Sequence, residues 1–385
     1  MKDLTTGSEK KLILFFAIPM LLGNVFQQSY NIIDRIIVGH YIGKQALAAV
    51  GAAFPIIFLL ISLIIGIASG ITVIISQYFG AKDYKNVKRA IDTMYLFIFI
   101  SSLIITGIGL YLNTFIFEFI KLPKDIIPDA KIYLSIYFIG MIFMFGFQGV
   151  CAVLRGLGDS KTPLYFLVVA TILNIALDFL FIVVLKFNIS GVAIATVISQ
   201  FTAFIAVAIY LNKKEKYAKI SFKNIEFDKN IFRQSIRIGL PSGAQQAFVA
   251  LGMIALYRIV NDYGTNAVAA YSVATGIDSF ATLPAMNFSM ALSAFVGQNI
   301  GANKVERVYS GYKATLLMNT VITVILSLLI IFFGKNLMHL FTDDKEVIDI
   351  GTKYLVIVSA FYMIFTIMFI TNGLIRGAGD TLASM

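Results

Sequence analysis

The chain has 385 residues, of which 58% are hydrophobic and 14% are charged, and its net charge is +10. In a soluble domain roughly a quarter of the residues are charged. This composition therefore excludes an ordinary soluble protein and predicts an all-α, polytopic helical membrane protein. The apolar runs are continuous and about twenty residues long, whereas strands of a membrane β-barrel alternate over about ten residues. One cysteine, Cys151, and two histidines, His40 and His339, exclude a disulfide framework and predict no cysteine or histidine metal site.

Ten apolar segments follow one another along the chain, each long enough to span a bilayer. They lie at about 12–38, 48–78, 91–112, 132–154, 164–185, 189–211, 238–260, 267–298, 312–333 and 354–375. The second and the eighth are long, which predicts that they tilt or extend beyond the membrane. The first has no small-residue cleavage site, so we expect a retained helix and not a signal peptide.

The distribution of basic residues predicts the orientation of these helices. With the N-terminus inside, the inner connections carry 20 Lys and Arg residues and the outer ones carry 8. The positive-inside rule therefore places the N-terminus in the cytoplasm. The positive charge is then explained by topology and by contacts with anionic membrane lipids, and no nucleic-acid partner is expected.

The first segment contains an acid, Asp34, near its outer end. A carboxylate in lipid costs at least ~2.5–3.5 kcal/mol on insertion scales, so Asp34 is a functional candidate. The alternatives are that Asp34 snorkels from the helix end or is neutralised by its neighbour Arg35.

Two motifs recur at a constant offset of 221 residues. Gln77, Gly80 and Ala81 match Gln298, Gly301 and Ala302, and Arg155, Gly156, Gly158 and Asp159 match Arg376, Gly377, Gly379 and Asp380. Six helices separate the copies, so the repeats are parallel and related by a pseudo-two-fold axis along the membrane normal. We interpret the RGxGD loops as cytoplasmic hairpins and basic anchors.

The repeat divides the chain into an N-lobe of six helices (1–211), a basic cytoplasmic linker (212–237) and a C-lobe of four helices (238–385). The second copy stops shortly after Asp380, so two further helices of an expected twelve are predicted to be missing from this chain.

Polar residues at matching depth predict a cation-coupling site in the N-lobe. Asn174 and Asp178 share one face of the fifth helix, and Tyr30 and Asp34 share one face of the first. Thr196 of the sixth helix lies at a similar distance from the outer side. Two carboxylates in low dielectric cannot both stay ionised without a proton or cation between them, and Tyr, Asn and Thr supply neutral oxygens. H⁺ and Na⁺ fit equally well.

A large supply of Met and Phe side chains predicts an adaptable apolar cavity for substrate. Its candidate lining residues are Gln27, Met141, Gln148, Gln245 and Met253. Asp278 and Arg258 are either functional or satisfied within their own half. No cofactor is expected.

In combination these motifs resemble the multidrug and toxic compound extrusion (MATE) family. The features are a proline fifteen residues before the first-helix acid, N-x3-D in the fifth helix, a threonine eighteen residues further on, the RGxGD loops and the basic linker. The resemblance implies that Pro19 is the point where the first helix bends. It places the cation site on Asp34, Tyr30, Asn174, Asp178 and Thr196, with Gln27 as a neighbour.

The resemblance favours the DinF-like and MepA-like branch. The NorM-like branch has a glutamate about eight residues past the proline of the seventh helix, where this chain has Val249. That second acidic site is therefore not transferred.

The resemblance implies a secondary active antiporter of the prokaryotic plasma membrane. It would act as a monomer and exchange amphipathic or cationic drugs for H⁺ or Na⁺ by alternating access. The alternative in the same superfamily is a flippase for lipid-linked precursors, which would need a strongly basic cavity, and the intramembrane cations are few (Arg35 and Arg258). No enzyme active site is predicted, because no histidine lies in mid-membrane.

Overall fold

The computed structural model describes residues 2–119, 122, 124–214, 219 and 226–381, and these residues form helices joined by turns. The helices are α1 (Glu9–Ile37), α2 (Lys44–Gly80), α3 (Tyr84–Phe119), α4 (Ile127–Gly156), α5 (Lys161–Asp178), α6 (Ile189–Lys214), α7 (Lys229–Asn261), α8 (Thr265–Gly301), α9 (Val305–His339) and α10 (Lys345–Ala378). Two π-helical segments, Val38–Ile42 and Phe179–Val184, extend α1 and α5.

The ten predicted spanning segments are confirmed, and each helix is long and apolar enough to cross a membrane. The helices extend beyond the apolar runs because their ends carry polar residues that lie outside the hydrocarbon. Helices α2 and α8 have 37 residues each, but α3 has 36 and α9 has 35, so length does not single out the two helices that the sequence marked as long.

The first helix of each half packs partly into the other half. Phe16 and Ala17 of α1 are buried in a cluster with Phe288 and Leu292 of α8. Reciprocally, Ile238 of α7 is buried in the core that α2, α3, α4 and α6 build. Helices α2 and α7 approach closely, since a Cβ on Gly66 would lie 2.5 Å from the Cα of Gly243.

The turns after α2, α4 and α8 meet the N-terminal residues at one end of the bundle, which we call the N-terminal face. There the two copies of the Gln-x-x-Gly motif pack against each other. A Cβ on Gly80 would lie 1.9 Å from the carbonyl oxygen of Gln298, and one on Gly301 would lie 1.9 Å from that of Gln77. The motif therefore recurs because a side chain at either glycine would separate the halves.

The first RGxGD loop forms a capped hairpin between α4 and α5, and both loops join the halves. Asp159 caps α5 by accepting the Thr162 N–H at 3.0 Å. The Gly156 carbonyl accepts a hydrogen bond from Gln298 Nε2 at 3.1 Å, and the Gly377 carbonyl accepts one from Gln77 Nε2 at 3.3 Å. Each glutamine thus reaches the loop of the opposite half.

The N-terminal segment, residues 2–8, runs across the same face. The Leu4 N–H donates to Gln298 Oε1 at 2.9 Å, and Lys304 Nζ donates to the Thr5 carbonyl at 2.9 Å. The Lys2 N–H donates to the Leu157 carbonyl at 3.3 Å, so the segment bridges both halves. The N-terminal face is closed by backbone and side-chain hydrogen bonds together.

Most of the central linker lies outside the described residues, which resume at 226. Arg89 Nε and Glu226 Oε2 lie 3.1 Å apart, which ties the end of the linker to α3. The division into lobes at 1–211, 212–237 and 238–385 stays a prediction.

Candidate functional site

The predicted acids of α1 and α5 converge towards the face opposite the N-terminal one. The two helices run side by side, and a Cβ on Gly23 of α1 would lie 3.3 Å from Leu167 of α5. The four-residue spacings of Tyr30 and Asp34, and of Asn174 and Asp178, put each pair on one helical face. The carboxyl groups of Asp34 and Asp178 face each other.

These side chains are buried or half-buried, and several of their polar atoms lack partners among the described residues. Asp178 is 0% exposed and Asn174 is 3% exposed. Both carboxylate oxygens of Asp178, Oδ1 of Asp34 and both amide atoms of Asn174 have no hydrogen-bond partner among the described residues. A buried charge without a partner is expensive, so this group of atoms requires a proton or a cation.

A small cavity lies between α1, α5 and α6, next to the residues one helical turn before the two acids. It is lined by Tyr30, Leu167, Ala170, Thr171, Asn174, Thr196, Ser199 and Gln200. Its free space is about 10 Å³, roughly enough for one water molecule or small ion. Three predicted site residues, Tyr30, Asn174 and Thr196, therefore share an ion-sized space and not a drug-sized one.

Thr196 presents its oxygen lone pairs to this space. Its hydroxyl donates to the Val192 carbonyl of its own helix at 3.1 Å, so the proton is already used. What remains is an acceptor, which suits a bound cation or a protonated acid.

Two tyrosines of α4 belong to the same group and were missed by the sequence reasoning. The rings of Tyr133 and Tyr137 lie 5.1 Å apart, and the Tyr137 hydroxyl neighbours Thr196. Their four-residue spacing near the outer end of α4 repeats the spacing on α1 and α5, which is the signal that could have found them.

The helices that carry the acids both become π-helical just beyond them. The Gly43 N–H donates to the Val38 carbonyl at 3.0 Å, and the Leu185 N–H donates to the Leu180 carbonyl at 2.9 Å, both five residues back. Such widened turns are rare and occur often at functional sites. On α5 the π-helical segment begins directly after Asp178, and on α1 it begins one turn after Asp34.

Helix α1 has different neighbours on the two sides of Pro19. Before it, Phe16 and Ala17 pack in the core of α8, and beyond it Gly23 packs against α5. Just past the proline, Asn24 Nδ2 donates to Asn287 Oδ1 of α8 at 2.9 Å. The helix is continuous through Pro19, so a bend there stays a prediction.

The predicted substrate-cavity residues differ in their burial. Gln27 lies beside Tyr30, whereas Met141 is packed in the core and Met253 is 53% exposed. Gln148 and Gln245 are half-buried. None of the five lines the small cavity, and their role in binding substrate stays a prediction. The side chain of Arg35, the alternative partner of Asp34, lies outside the described part of the structure.

Comparison with known proteins gives consistent matches over almost the whole chain. The MatE family model matches residues 19–180 and 241–385. The probable multidrug resistance protein YoeA of Bacillus subtilis (strain 168) is 34% identical over 374 residues, which are 95% of this chain and 81% of that protein. YpnP of the same organism, also described as a probable multidrug resistance protein, is 34% identical over 381 residues, 99% of this chain and 85% of that protein.

A solved structure shows the same architecture. It is an outward-facing multidrug resistance MATE family transporter of the MOP superfamily, with a TM-score of 0.94 and 25% identity. The match covers 100% of this chain and 86% of that one.

Proposed function

Because this chain belongs to the MatE family, the multidrug and toxic compound extrusion transporters, we propose that it is a secondary active efflux antiporter. It exports amphipathic, often cationic, compounds in exchange for H⁺ or Na⁺. The observation that carries the proposal is the facing pair of carboxyls of Asp34 and Asp178, which have buried oxygens without a hydrogen-bond partner among the described residues. An ion-sized cavity lies next to the residues one turn before them.

The donor set explains why a cation would bind there. Two carboxyls, the Asn174 amide oxygen and the Thr196 hydroxyl oxygen are hard oxygen ligands, which suit Na⁺, and either carboxyl can instead take a proton. Binding removes the repulsion between the acids and lets α1 and α5 close on each other. Without the cation, that repulsion favours their separation.

Helix α1 can transmit this change to the other half. Its part before Pro19 is held in the α8 core, while its part beyond Pro19 carries Asp34 against α5. Proline removes one backbone hydrogen bond from the helix, so a bend costs least at this point. Neutralising Asp34 and Asp178 therefore shifts the outer part of α1 relative to a fixed inner part, and the shape of the space between the halves changes with it.

Alternating access then requires the closed N-terminal face to open. We place that face in the cytoplasm, on the strength of the basic residues in its connections. Opening would break the reciprocal contacts of Gln77 and Gln298 and the hydrogen bonds of the N-terminal segment. The closed arrangement corresponds to an outward-facing state, in which the cation enters and drug leaves.

The test is ethidium transport by the purified chain in proteoliposomes, under an imposed pH gradient or an imposed Na⁺ gradient. One of the two gradients is expected to drive transport, and Asp178→Asn and Asp34→Asn are expected to abolish the driven component. The control is Asp262→Asn, an exposed acid at the end of α7. Gradient-driven transport at the wild-type rate in both acid variants would contradict the proposal.

A further inference from the structure

A second acid with a buried carboxylate oxygen lies in the other half of the molecule, where the proposed exchange does not use it. Asp278 of α8 is two turns beyond Tyr271 on the same helical face. The hydroxyl of Tyr362 from α10 faces its carboxyl. Tyr362 is 4% exposed, yet neither its hydroxyl nor Asp278 Oδ1 has a hydrogen-bond partner among the described residues.

Three further tyrosine rings connect this acid with the end of the bundle. The ring of Tyr257, on α7, lies 5.2 Å from that of Tyr271, and the ring of Tyr271 lies 5.5 Å from that of Tyr354 on α10. Both contacts are edge-to-face, at 81° and 83°. Tyr257 is 39% exposed and Tyr271 is 9% exposed, so the rings lead from the surface to the buried carboxyl.

Among the described residues, no basic side chain forms an ion pair with Asp278. Lys353, next to Tyr354, pairs with Asp349 at 2.7 Å and is 71% exposed. Arg258, next to Tyr257, is exposed. Ile277 and Val358, on α8 and α10, pack against an apolar cluster that includes Tyr362.

We infer that Asp278, with Tyr271, Tyr354 and Tyr362, forms a binding site for an organic cation with an aromatic or apolar body. The carboxylate balances the charge, and the faces of the tyrosine rings attract a large, weakly hydrated cation. A small inorganic ion is less suited, because it needs several oxygen ligands at once and here finds one carboxyl and one nearby hydroxyl.

This site is distinct from the acid pair of the first half. It is built on α7, α8 and α10, and the pair is built on α1, α4, α5 and α6. The two are related through the repeat, since Tyr354 stands 221 residues after Tyr133. Because binding can be measured without a gradient, the inference does not depend on the proposed exchange.

The test is binding of ethidium to the purified full chain in detergent, without Na⁺, followed by fluorescence anisotropy. Asp278→Asn is expected to weaken binding about tenfold, as loss of a charge partner in an apolar site implies. An uncharged aromatic dye of similar size is expected to keep its affinity. The control is Asp343→Asn, an exposed acid in the turn before α10.

A pair of ring substitutions separates an aromatic contact from a general loss of packing. Tyr271→Phe retains the ring and is expected to bind ethidium as the wild type does. Tyr271→Leu removes the ring and is expected to bind several-fold more weakly. This pair also keeps the inference testable if Asp278→Asn does not fold.

Three outcomes would overturn the inference. The first is wild-type ethidium affinity in folded Asp278→Asn, and the second is equal ethidium affinity in Tyr271→Phe and Tyr271→Leu. The third is that Na⁺ stabilises the wild type but not Asp278→Asn, while the two proteins bind ethidium equally well. Ethidium binding that persists in an Asp34→Asn, Asp178→Asn double variant, but falls with Asp278→Asn, supports it independently of the coupling site.

Discussion

The two halves of the molecule each bury acid near the same end, but they surround it with different chemistry. In the first half, Asp34 and Asp178 face each other. One turn before them, amide and hydroxyl oxygens line a space of about 10 Å³. In the second half, a single acid, Asp278, lies among tyrosine rings. One surrounding offers oxygens to a small ion, and the other offers ring faces to a large one.

The shared scaffold makes this difference informative. Tyr133 and Tyr354 occupy equivalent positions of the repeat, and each lies near the acid of its own half. The tyrosine therefore has the same position in both repeats, but the side chains that surround it differ between the halves. We therefore expect substitutions in the two halves to impair different steps of transport.

The largest effect is expected from removing the charge of Asp178. Asp178→Asn should reduce gradient-driven ethidium transport to the background rate at every ethidium concentration, because an amide cannot bind and release a proton. Asp278→Asn should instead raise the half-saturating concentration of ethidium and leave the maximal rate near wild type. Initial rates in proteoliposomes over a range of ethidium concentrations separate the two, and identical kinetic defects would remove the distinction between the halves.

The next effect concerns the contact between the halves. Gly301→Ala puts a Cβ 1.9 Å from the Gln77 carbonyl oxygen, and this backbone atom cannot rotate away. Overpacking of this kind costs about 1–3 kcal/mol, here against the closed N-terminal face. Labelling of a cysteine introduced at that face should therefore become faster, and transport should fall.

The matched control is Gly252→Ala, since a Cβ there would meet no atom within 4 Å. Labelling and transport close to the wild type are expected for it. If Gly301→Ala behaves in the same way, the reciprocal glycine contact is not what closes the face.

An intermediate effect is expected from Pro19→Ala. Alanine restores the backbone N–H and stiffens α1 between its two packing environments. Transport should slow several-fold while cation binding at Asp34 and Asp178, measured by calorimetry, stays near wild type. A parallel loss of binding and transport would show that Pro19 shapes the site itself and does not act as a hinge.

The smallest effect comes from removing one hydroxyl in each half. Tyr133→Phe should weaken cation coupling about two- to fivefold, the size of one neutral hydrogen bond. Tyr354→Phe should leave ethidium binding unchanged, because it keeps the ring. The reverse pattern, with an effect only at Tyr354, would contradict the assignment of oxygen chemistry to one half and ring chemistry to the other.

Much of this architecture follows from the sequence because the membrane fixes the length and depth of a helix. The ten spans, the parallel repeat, and the shared depth of Asp34 and Asp178 all depend on the position of residues along a helix axis, which the sequence gives directly. The rotation of a helix about that axis, which decides where each side chain points, depends instead on packing against the other helices. Met141 and Met253 therefore looked alike in the sequence, although one lies in the core and the other faces outward.

Features that need a partner from another helix were missed for the same reason. Tyr133 and Tyr137 become site residues only because α4 turns them towards α6. The π-helical turns after the acids have no residue signature in this chain, since Gly43 and Leu185 donate those hydrogen bonds through the backbone. The Gln77 and Gln298 motif was visible, but its reciprocal contact required the two halves side by side.

The exchange of first helices between the halves has a consequence for biosynthesis. Ala17 is made 271 positions before Phe288, its companion in the α8 core. Throughout that interval the inner part of the nascent α1 lacks the α8 surface that will cover it, and lipid or the insertion machinery holds it. The packing of each half therefore depends on the other, and the two fragments of a chain cut in the central linker should acquire full protease resistance only when they are co-expressed.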